Sequence, residues 1–232
     1  MAEFAISPGT VHLWWARVSE AKPHLDRLRR TLNSDEAERA ARFRVEVARQ
    51  RFIVARAVLR SVLGHATRLD PADLVFAYGE HGKPSLPAGG PSFNVSDSGD
   101  FVVVALASAE LGVDAEVMRP LARRERLARR ICTEREFEAI ESIPEADRDA
   151  AILRLWTCKE AALKAVGTGL SGGVRNVEID LRPDGPPRLR RLCGEIDGWT
   201  LLPITLEPTV ICTVVIRGDG WQVGIRPWPF ST

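Results

Sequence analysis

Apolar residues recur along the chain at two spacings, and each spacing predicts a different kind of element. Three short apolar runs predict buried strands: "VHLWWARV" (11–18), "FVVVALA" (101–107) and "LGVDAEV" (111–117). A helical spacing after the first run predicts a long helix that begins at an Asn33–Glu36 capping box and ends near Gly64. Its apolar stripe is Phe52, Ala55, Leu59 and Val62, and its opposite side carries Arg49, Arg51, Arg56 and Arg60.

The second half of the chain repeats this alternation of helical and extended patterns. Residues 121–143 carry two short helical patterns, and residues 148–166 carry a longer one, closed by Gly167 and Gly169. Four later runs predict strands of an antiparallel sheet, at 177–182, 199–206, 209–217 and 221–228. We therefore expect an α+β fold with an N-terminal α+β half (1–110) and a C-terminal α+β half (111–232).

A segment dense in glycine and proline separates the long helix from the second strand. Residues 79–92, "GEHGKPSLPAGGPS", predict a loop. The loop leads into "FNVSDSGD" (93–100), a cluster of small polar residues directly before a strand. This composition is typical of a ligand-facing turn, although its centre carries an acid, Asp97.

Composition narrows the classes of function. A net charge of +1 gives no overall attraction to nucleic acid, so we expect no nucleic-acid partner. No segment reaches the roughly 18 uninterrupted apolar residues of a membrane span, and the first residues lack the pattern of a secretory signal. We expect a cytoplasmic protein without a membrane partner. The four cysteines have no paired spacing, which argues against a thiolate metal site: Cys132, Cys158, Cys193 and Cys212.

The arginines are clustered in three runs although the net charge of the chain is only +1. The runs are "RLRR" (27–30), "RPLARRERLARR" (119–130) and "RLRR" (188–191). Such runs are most often solvated helix faces, and we interpret all three in this way first. The alternative for residues 119–130 is a local patch that attracts an acidic partner.

Two carboxylates share one face of the strand "LGVDAEV". Side chains alternate along a strand, so Asp114 and Glu116 lie on one side of it. Burying two acids without a cation is costly, and Mg²⁺ is the ion that one or two carboxylates, water and phosphate oxygens best satisfy. The alternative is a strand edge with two solvated acids.

A polar stripe runs along the helical pattern at 148–166. Trp156, Glu160 and Lys164 are four residues apart and therefore lie on one stripe, with Lys159 beside them. The simple interpretation is a solvated i,i+4 ion pair of Glu160 with Lys164. The large indole of Trp156 in the same stripe weakens that interpretation, unless Trp156 is only part of the packing.

Four motifs occur in a fixed order: "GKP" (82–84), "FNVSDS" (93–98), "GVDAE" (112–116) and "WTCKEAALKAVGTGL" (156–170). In order and spacing they resemble the 4′-phosphopantetheinyl transferase superfamily, in the long class typified by the surfactin-synthetase activating enzyme. The resemblance covers roughly residues 39–170. It implies a monomer built as a pseudo-dimer of two similar α+β halves, with the active site at their junction.

The resemblance implies an enzyme that moves the phosphopantetheine arm of coenzyme A to a serine of an acyl, peptidyl or aryl carrier domain and releases 3′,5′-adenosine bisphosphate. By the same resemblance Asp114, Glu116 and Glu160 match the Mg²⁺ ligands, with Mn²⁺ as the alternative ion. Glu160 would also help to deprotonate the carrier serine, directly or through water. Lys164 would neutralise charge on the phosphate that is attacked, which suits a reaction that depends on positioning and charge neutralisation.

The resemblance also implies a set of coenzyme A contacts: Arg39, Arg51, Lys83, Ser96, Asp97, Lys159 and Lys164. For Lys159 the alternative is a salt bridge. Glu36 stands where some relatives carry lysine, and Glu136 matches a further acid whose role is structural or carrier-facing.

The family usually has histidine at the position of Asp97, against the 3′-phosphate of coenzyme A. An unpaired carboxylate there would repel the phosphate by about 4 kcal/mol at 4 Å and an effective dielectric constant near 20. We therefore expect Asp97 to be turned into its own loop, or paired with Arg39, Arg51 or Arg56. The plain alternative is a solvated loop aspartate.

Two other functions compete with the transferase. The chain could bind coenzyme A or a carrier without turnover, although the retained Asp114, Glu116, Glu160 and Lys164 argue against this. It could also be an unrelated Mg²⁺-dependent phosphohydrolase, which would use similar carboxylates but gives no reason for Lys164 at its spacing.

Overall fold

We describe residues 6–169, 173–182, 185–194 and 198–230 in a computed structural model of the chain. Within these residues the chain groups into two compact units. The first contains residues up to 78, residues 84–108 and the residues from 221 onward. The second contains residues 79–83 and the described parts of 109–220. Both units combine helices with strands, and the predicted α+β class is confirmed.

The helices and strands follow one another in this order. Residues before 109 form β1 (Thr10–Arg17), α1 (Val18–Ala21), α2 (Leu25–Arg29), α3 (Ser34–Ala41), α4 (Glu46–Thr67), β2 (Ala77–Tyr78), β3 (Pro84–Ser85), β4 (Ser92–Ser98) and β5 (Phe101–Ala107). Later residues form β6 (Leu111–Val117), α5 (Arg124–Ile131), α6 (Glu134–Glu141), α7 (Arg148–Val166), β7 (Val177–Asp180), β8 (Arg188–Leu192), β9 (Trp199–Thr205), β10 (Val210–Arg217) and β11 (Gln222–Pro227).

The first unit is a four-stranded sheet, in the order β11-β1-β5-β4, with α4 packed against it. Strand β5 is buried along its whole length and pairs antiparallel with both β1 and β4. Residues such as Val54 and Val58 of α4 share a core with Val102 and Val104 of β5. The strands predicted from "VHLWWARV" and "FVVVALA" are confirmed.

The sequence pattern predicted that strand β11 belongs to an antiparallel sheet with the three preceding runs. This prediction is wrong. Strand β11 pairs in parallel with β1 in the first unit, with Leu13 opposite Ile225. Residues 221–230 therefore fold with the N-terminal part of the chain, whereas the expected half 111–232 includes them. Likewise β7 does not join β9 and β10 but pairs with β8. An alternating pattern identifies a strand but does not encode its partner.

Three other local expectations are wrong. The long helix is two helices, α3 and α4, separated at 42–45, where Val45 is extended. "FNVSDSGD" lies mostly in β4, and only Gly99 and Asp100 form a turn. The second "RLRR" run is strand β8 rather than a helix face.

The second unit is built around α7, which packs on β6 and β10 of the antiparallel sheet β6-β10-β9. The predicted helix 148–166 is confirmed, and Gly167 ends it in the left-handed conformation, with φ of 75°. Gly112 of β6 allows the closest approach to the helix, because a Cβ at this position would lie 2.2 Å from the carbonyl oxygen of Ala161. In the described part of the chain, none of the helices is long and apolar enough to span a bilayer.

Candidate active site

The acids predicted as metal ligands lie on the two elements that Gly112 brings together. Asp114 is buried on β6, and its Oδ1 accepts a hydrogen bond of 2.7 Å from Nζ of Lys164 on α7. The same ammonium donates to the carbonyl of Val113 at 3.2 Å. The structure therefore joins Asp114 and Lys164, which are 50 residues apart in sequence, into one ion pair.

Glu160 lies one helical turn before Lys164 on α7. Its Oε1 is buried and has no hydrogen-bond partner among the described residues. Burial raises the pKa of this carboxyl above its ordinary value, and the charges of Asp114 and Glu116 raise the pKa further, whereas Lys164 lowers it. The three acids are thus close enough to repel one another, which is a situation that a bound cation would relieve.

Glu116 extends from the same strand and pairs with Arg119, with 2.8 Å between Oε2 and the guanidinium. As the side chains stand, no three histidine, cysteine, aspartate or glutamate side chains within the described residues come together as a metal-binding group. Lys164 and Arg119 instead balance the charge of Asp114 and Glu116. The donor set has the chemistry that Mg²⁺ requires, since all three groups offer carboxylate oxygens and Oε1 of Glu160 has no hydrogen-bond partner in the described part of the chain.

Trp156, one turn before Glu160, packs against the core of the second unit. This contact favours the interpretation of Trp156 as part of the packing over one in which it covers a ligand. The polar stripe predicted on α7 thus reduces to Glu160 and Lys164.

Lys159, the other lysine of this motif, lies apart from that stripe. Its side chain is fully buried, and its ammonium lies 2.7 Å from Oε2 of Glu136. The structure therefore contains the salt bridge that was one of the two alternatives for Lys159. Glu136 is likewise buried within the second unit.

Lys83 lies at the C-terminal end of α7. Its ammonium donates to the carbonyls of Ala165, at 2.7 Å, and Leu111, at 3.0 Å. Burial lowers the pKa of Lys83 to about 8, and the charge of Glu110 opposes this shift. A side chain expected at the nucleotide thus joins the end of α7 to the start of β6.

The other predicted coenzyme A contacts belong to the first unit. Asp97, exposed on β4, pairs with Arg51 of α4, with 3.4 Å between Oδ2 and Nε. Of the three arginines considered as partners for Asp97, the structure selects Arg51. Arg39 is exposed and lies over the ring of Phe52, 5.1 Å from its centroid. Ser96 is buried, so it lies on the opposite face of β4 from Asp97.

Glu36 and Arg60 show what the sequence patterns missed in the first unit. Glu36 caps α3 and is buried, and its two carboxylate oxygens bind Arg56 and Arg60. Arg60 was expected on the polar side of the helix but is fully buried. Glu36 therefore has a structural role, because its carboxylate already binds two arginines of the protein.

Comparisons with known proteins agree with the order of the motifs. Residues 110–215 match the family model of the 4′-phosphopantetheinyl transferase superfamily, and residues 15–109 match the model of the 4′-phosphopantetheinyl transferase N-terminal region. The 4′-phosphopantetheinyl transferase HetI of Nostoc sp. is 36% identical over 217 residues, which cover 91% of this chain and 90% of that protein. Sfp of Bacillus subtilis is 28% identical over 155 residues, covering 66% of this chain and 68% of Sfp.

Among solved structures, the holo-[acyl-carrier-protein] synthase of Thermotoga maritima aligns with a TM-score of 0.39 and 23% identity. The alignment covers 48% of this chain and 64% of that one.

Proposed function

Because this chain belongs to the 4′-phosphopantetheinyl transferase superfamily, we propose that it transfers the 4′-phosphopantetheine arm of coenzyme A to an apo carrier protein. The carrier serine oxygen forms a bond to the phosphorus that bears the arm, and the bond from that phosphorus to the bridging pyrophosphate oxygen breaks. The serine gives up its proton, and 3′,5′-adenosine bisphosphate leaves. The transferase class predicted from the motifs is confirmed by the comparisons.

The observation that carries this proposal is the contact of β6 with α7. Gly112 lets the strand lie directly on the helix backbone, and this packing brings Asp114 against Lys164. An acid and a cation held on two rigid elements supply what phosphoryl transfer requires, which is fixed positions and compensated charge. Both elements lie in the second unit.

We assign Asp114, Glu116 and Glu160 as the groups that would hold Mg²⁺, with Mn²⁺ as the alternative ion. When bound, such an ion neutralises charge on phosphate oxygens. Two observations support this assignment: Oε1 of Glu160 finds no hydrogen-bond partner among the residues that the structure describes, and the three acids repel one another. To serve as ligands, Asp114 would have to give up its pairing with Lys164, and Glu116 its pairing with Arg119.

Glu160 and Lys164 are the proposed catalytic residues. The carboxylate of Glu160 accepts the proton of the carrier serine, directly or through a water molecule. The ammonium of Lys164, released from Asp114, neutralises charge on the phosphate under attack. Their positions on successive turns of α7 place both groups on one face of the helix.

We propose that Arg39, Arg51 and Asp97 contribute to the coenzyme A site, as the family motifs imply, whereas Ser96 is buried on the opposite face of β4 from Asp97. Arg51 pairs with Asp97, and the pair carries no net charge. The 3′-phosphate therefore meets a weaker positive field at β4 than a histidine at position 97 would supply. The same motifs imply that Lys83 and Lys164, which belong to the second unit, also contact coenzyme A.

Membership of the family removes the unrelated phosphohydrolase from consideration. The binding-only alternative is tested by incubating the protein with coenzyme A, Mg²⁺ and a panel of apo carrier domains, followed by intact mass measurement of the carriers. Transfer gives a carrier that is heavier by the phosphopantetheine group. The carriers come from fatty-acid, polyketide, nonribosomal-peptide and lysine pathways. The proposal would be contradicted if calorimetry showed that the protein binds coenzyme A but no carrier gained the adduct.

We further propose that the protein acts as a cytoplasmic monomer.

A further inference from the structure

The ammonium of Lys159 is enclosed on every side by protein acceptors. The side chain is 0% exposed. Nζ donates to the carbonyls of Val177 at 2.7 Å, Ile131 at 2.9 Å and Val174 at 3.2 Å, and it lies 2.7 Å from Oε2 of Glu136. An ammonium has three N–H groups, so these four acceptors occupy its whole donor capacity. None of its N–H groups remains for a phosphate.

Glu136 is the second half of this cluster and is itself 2% exposed. Its Oε2 accepts from the backbone N–H of Thr133 at 2.7 Å, which closes the capping box of α6. Its Oε1 accepts from the N–H of Ile179 on β7 at 2.8 Å. One buried ion pair therefore fastens α7 to the end of α5, the start of α6 and the strand β7.

Lys159 immediately precedes Glu160 on α7. An anchored Lys159 fixes both the rotation of the helix about its axis and its position along that axis. Those two quantities decide where Glu160 and Lys164 lie relative to Asp114. A displacement of about 1 Å at a catalytic group can cost about a hundredfold in rate.

We propose that Lys159 is a positioning residue, which acts with Glu136 as a buried clamp on α7 and does not contact coenzyme A. This inference deepens the proposed function and rests on it. It replaces the phosphate contact that the family motif suggested for Lys159. The clamp also gives Glu136 a role inside the protein rather than on the carrier-facing surface.

The test compares steady-state transfer by the wild type, Lys159→Met and Glu136→Gln. Met keeps the length of the side chain without its charge, and Gln keeps the shape of the acid. Both variants are expected to lower kcat by roughly tenfold to a hundredfold while the KM for coenzyme A stays unchanged. Both should also melt at a lower temperature, because each leaves a buried charge without its partner.

Arg60→Met is the matched control for the loss of stability. Arg60 is also a fully buried cation paired with a buried acid, Glu36, but it lies in the first unit. This variant should melt at a lower temperature as well, yet at a temperature where it is folded its kcat should equal that of the wild type. If Arg60→Met keeps the wild-type kcat, a lower stability of the folded protein does not by itself explain a lower kcat in Lys159→Met and Glu136→Gln.

The kinetic results distinguish a positioning role of Lys159 from a contact between Lys159 and coenzyme A. A raised KM for coenzyme A in Lys159→Met, with an unchanged KM in Glu136→Gln, would show that Lys159 binds the substrate and would overturn the clamp. Wild-type kcat in Glu136→Gln would overturn it too, and this result remains decisive if Lys159→Met does not fold. Failure of the wild type to modify any carrier would instead overturn the proposed function, on which the catalytic role of the clamp depends.

Discussion

Several charged side chains of the family motifs are held by partners on neighbouring elements, and these partners determine which of the motif charges remain for a ligand. Lys159 is saturated by Glu136 and backbone carbonyls, and Lys83 donates to two carbonyls. Arg51 neutralises Asp97. Of the three lysines in the family motifs, Lys164 is the one that bonds to a carboxylate predicted to bind metal.

The pairing of Asp97 with Arg51 predicts a weak dependence on the 3′-phosphate of coenzyme A. Replacing Asp97 with His removes a negative charge beside Arg51 and should increase the preference for coenzyme A over 3′-dephospho-coenzyme A. By the Coulomb energy of one charge at an exposed site, we expect roughly a tenfold increase in the ratio of kcat/KM.

The measurement is kcat/KM with both donors for the wild type and Asp97→His. Asp73→His is a control for the added imidazole, because Asp73 lies in the turn after α4, outside the proposed site. A strong wild-type preference for coenzyme A that Asp97→His leaves unchanged would refute the prediction.

For single residues, the sequence predicts which side chains share a face of a strand or helix better than it predicts their contacts. The same-face relation of Asp114 and Glu116 and the spacing of Glu160 and Lys164 follow from strand and helix periodicity. The burial of Arg60 does not, because its partner Glu36 lies 24 residues away on another helix. The spacing of apolar residues describes a single helix or strand, whereas the burial of a side chain depends on the other elements that pack against it.

The contact between α7 and β6 is the element-scale feature on which the site depends. A Cβ on residue 112 would lie 2.2 Å from the carbonyl oxygen of Ala161 and 2.3 Å from the backbone nitrogen of Ala165. Both are backbone atoms, so neither can rotate away. The glycine of "GVDAE" is therefore required by helix packing, a reason that the motif alone does not give.

Gly112→Ala is expected to destabilise the protein by about 3 kcal/mol, because the strand must move away from the helix. Gly224→Ala on strand β11 is the matched control, since nothing lies within 4 Å of its added Cβ. This control should change the free energy of unfolding by less than about 0.5 kcal/mol. Urea denaturation of both variants and the wild type checks the difference, and equal stability of the two variants would contradict it.

The strands and helices were largely predictable from their own residues, whereas strand pairing was not. Helix α7 and strands β5 and β6 carry strong periodic or apolar signals over their whole length. The parallel partnership of β11 with β1 joins residues more than 200 positions apart, and no local pattern specifies it. The split of the long helix into α3 and α4 likewise depends on the extended conformation of Val45.

For the whole molecule, the net charge of only +1 gives no sign of the local basic surface at α5. Arg124 is already paired with Glu145 and Asp149, so it is a poor probe of carrier docking. Arg123 and Arg126 are exposed and make no ion pair with any described residue. We propose that these two arginines steer the acidic surface of a carrier domain toward the enzyme.

Reversing both charges, with Arg123→Glu and Arg126→Glu, should weaken carrier binding by roughly tenfold at low ionic strength and much less at high salt. The control reverses two exposed arginines elsewhere in the second unit, Arg182 and Arg188, and matches the change in net charge. Carrier affinity is measured by calorimetry at two salt concentrations. An unchanged affinity at low salt would count against this surface.

We propose above that the acids of β6 and α7 support transfer of phosphopantetheine. The most direct test is the intact mass of an apo carrier incubated with coenzyme A, Mg²⁺ and the wild type, Asp114→Ala or Glu160→Ala. Circular dichroism first establishes that each variant is folded. We predict that the wild type adds the phosphopantetheine group to the carrier and that neither variant does. Near-normal transfer by either folded variant would contradict the claim.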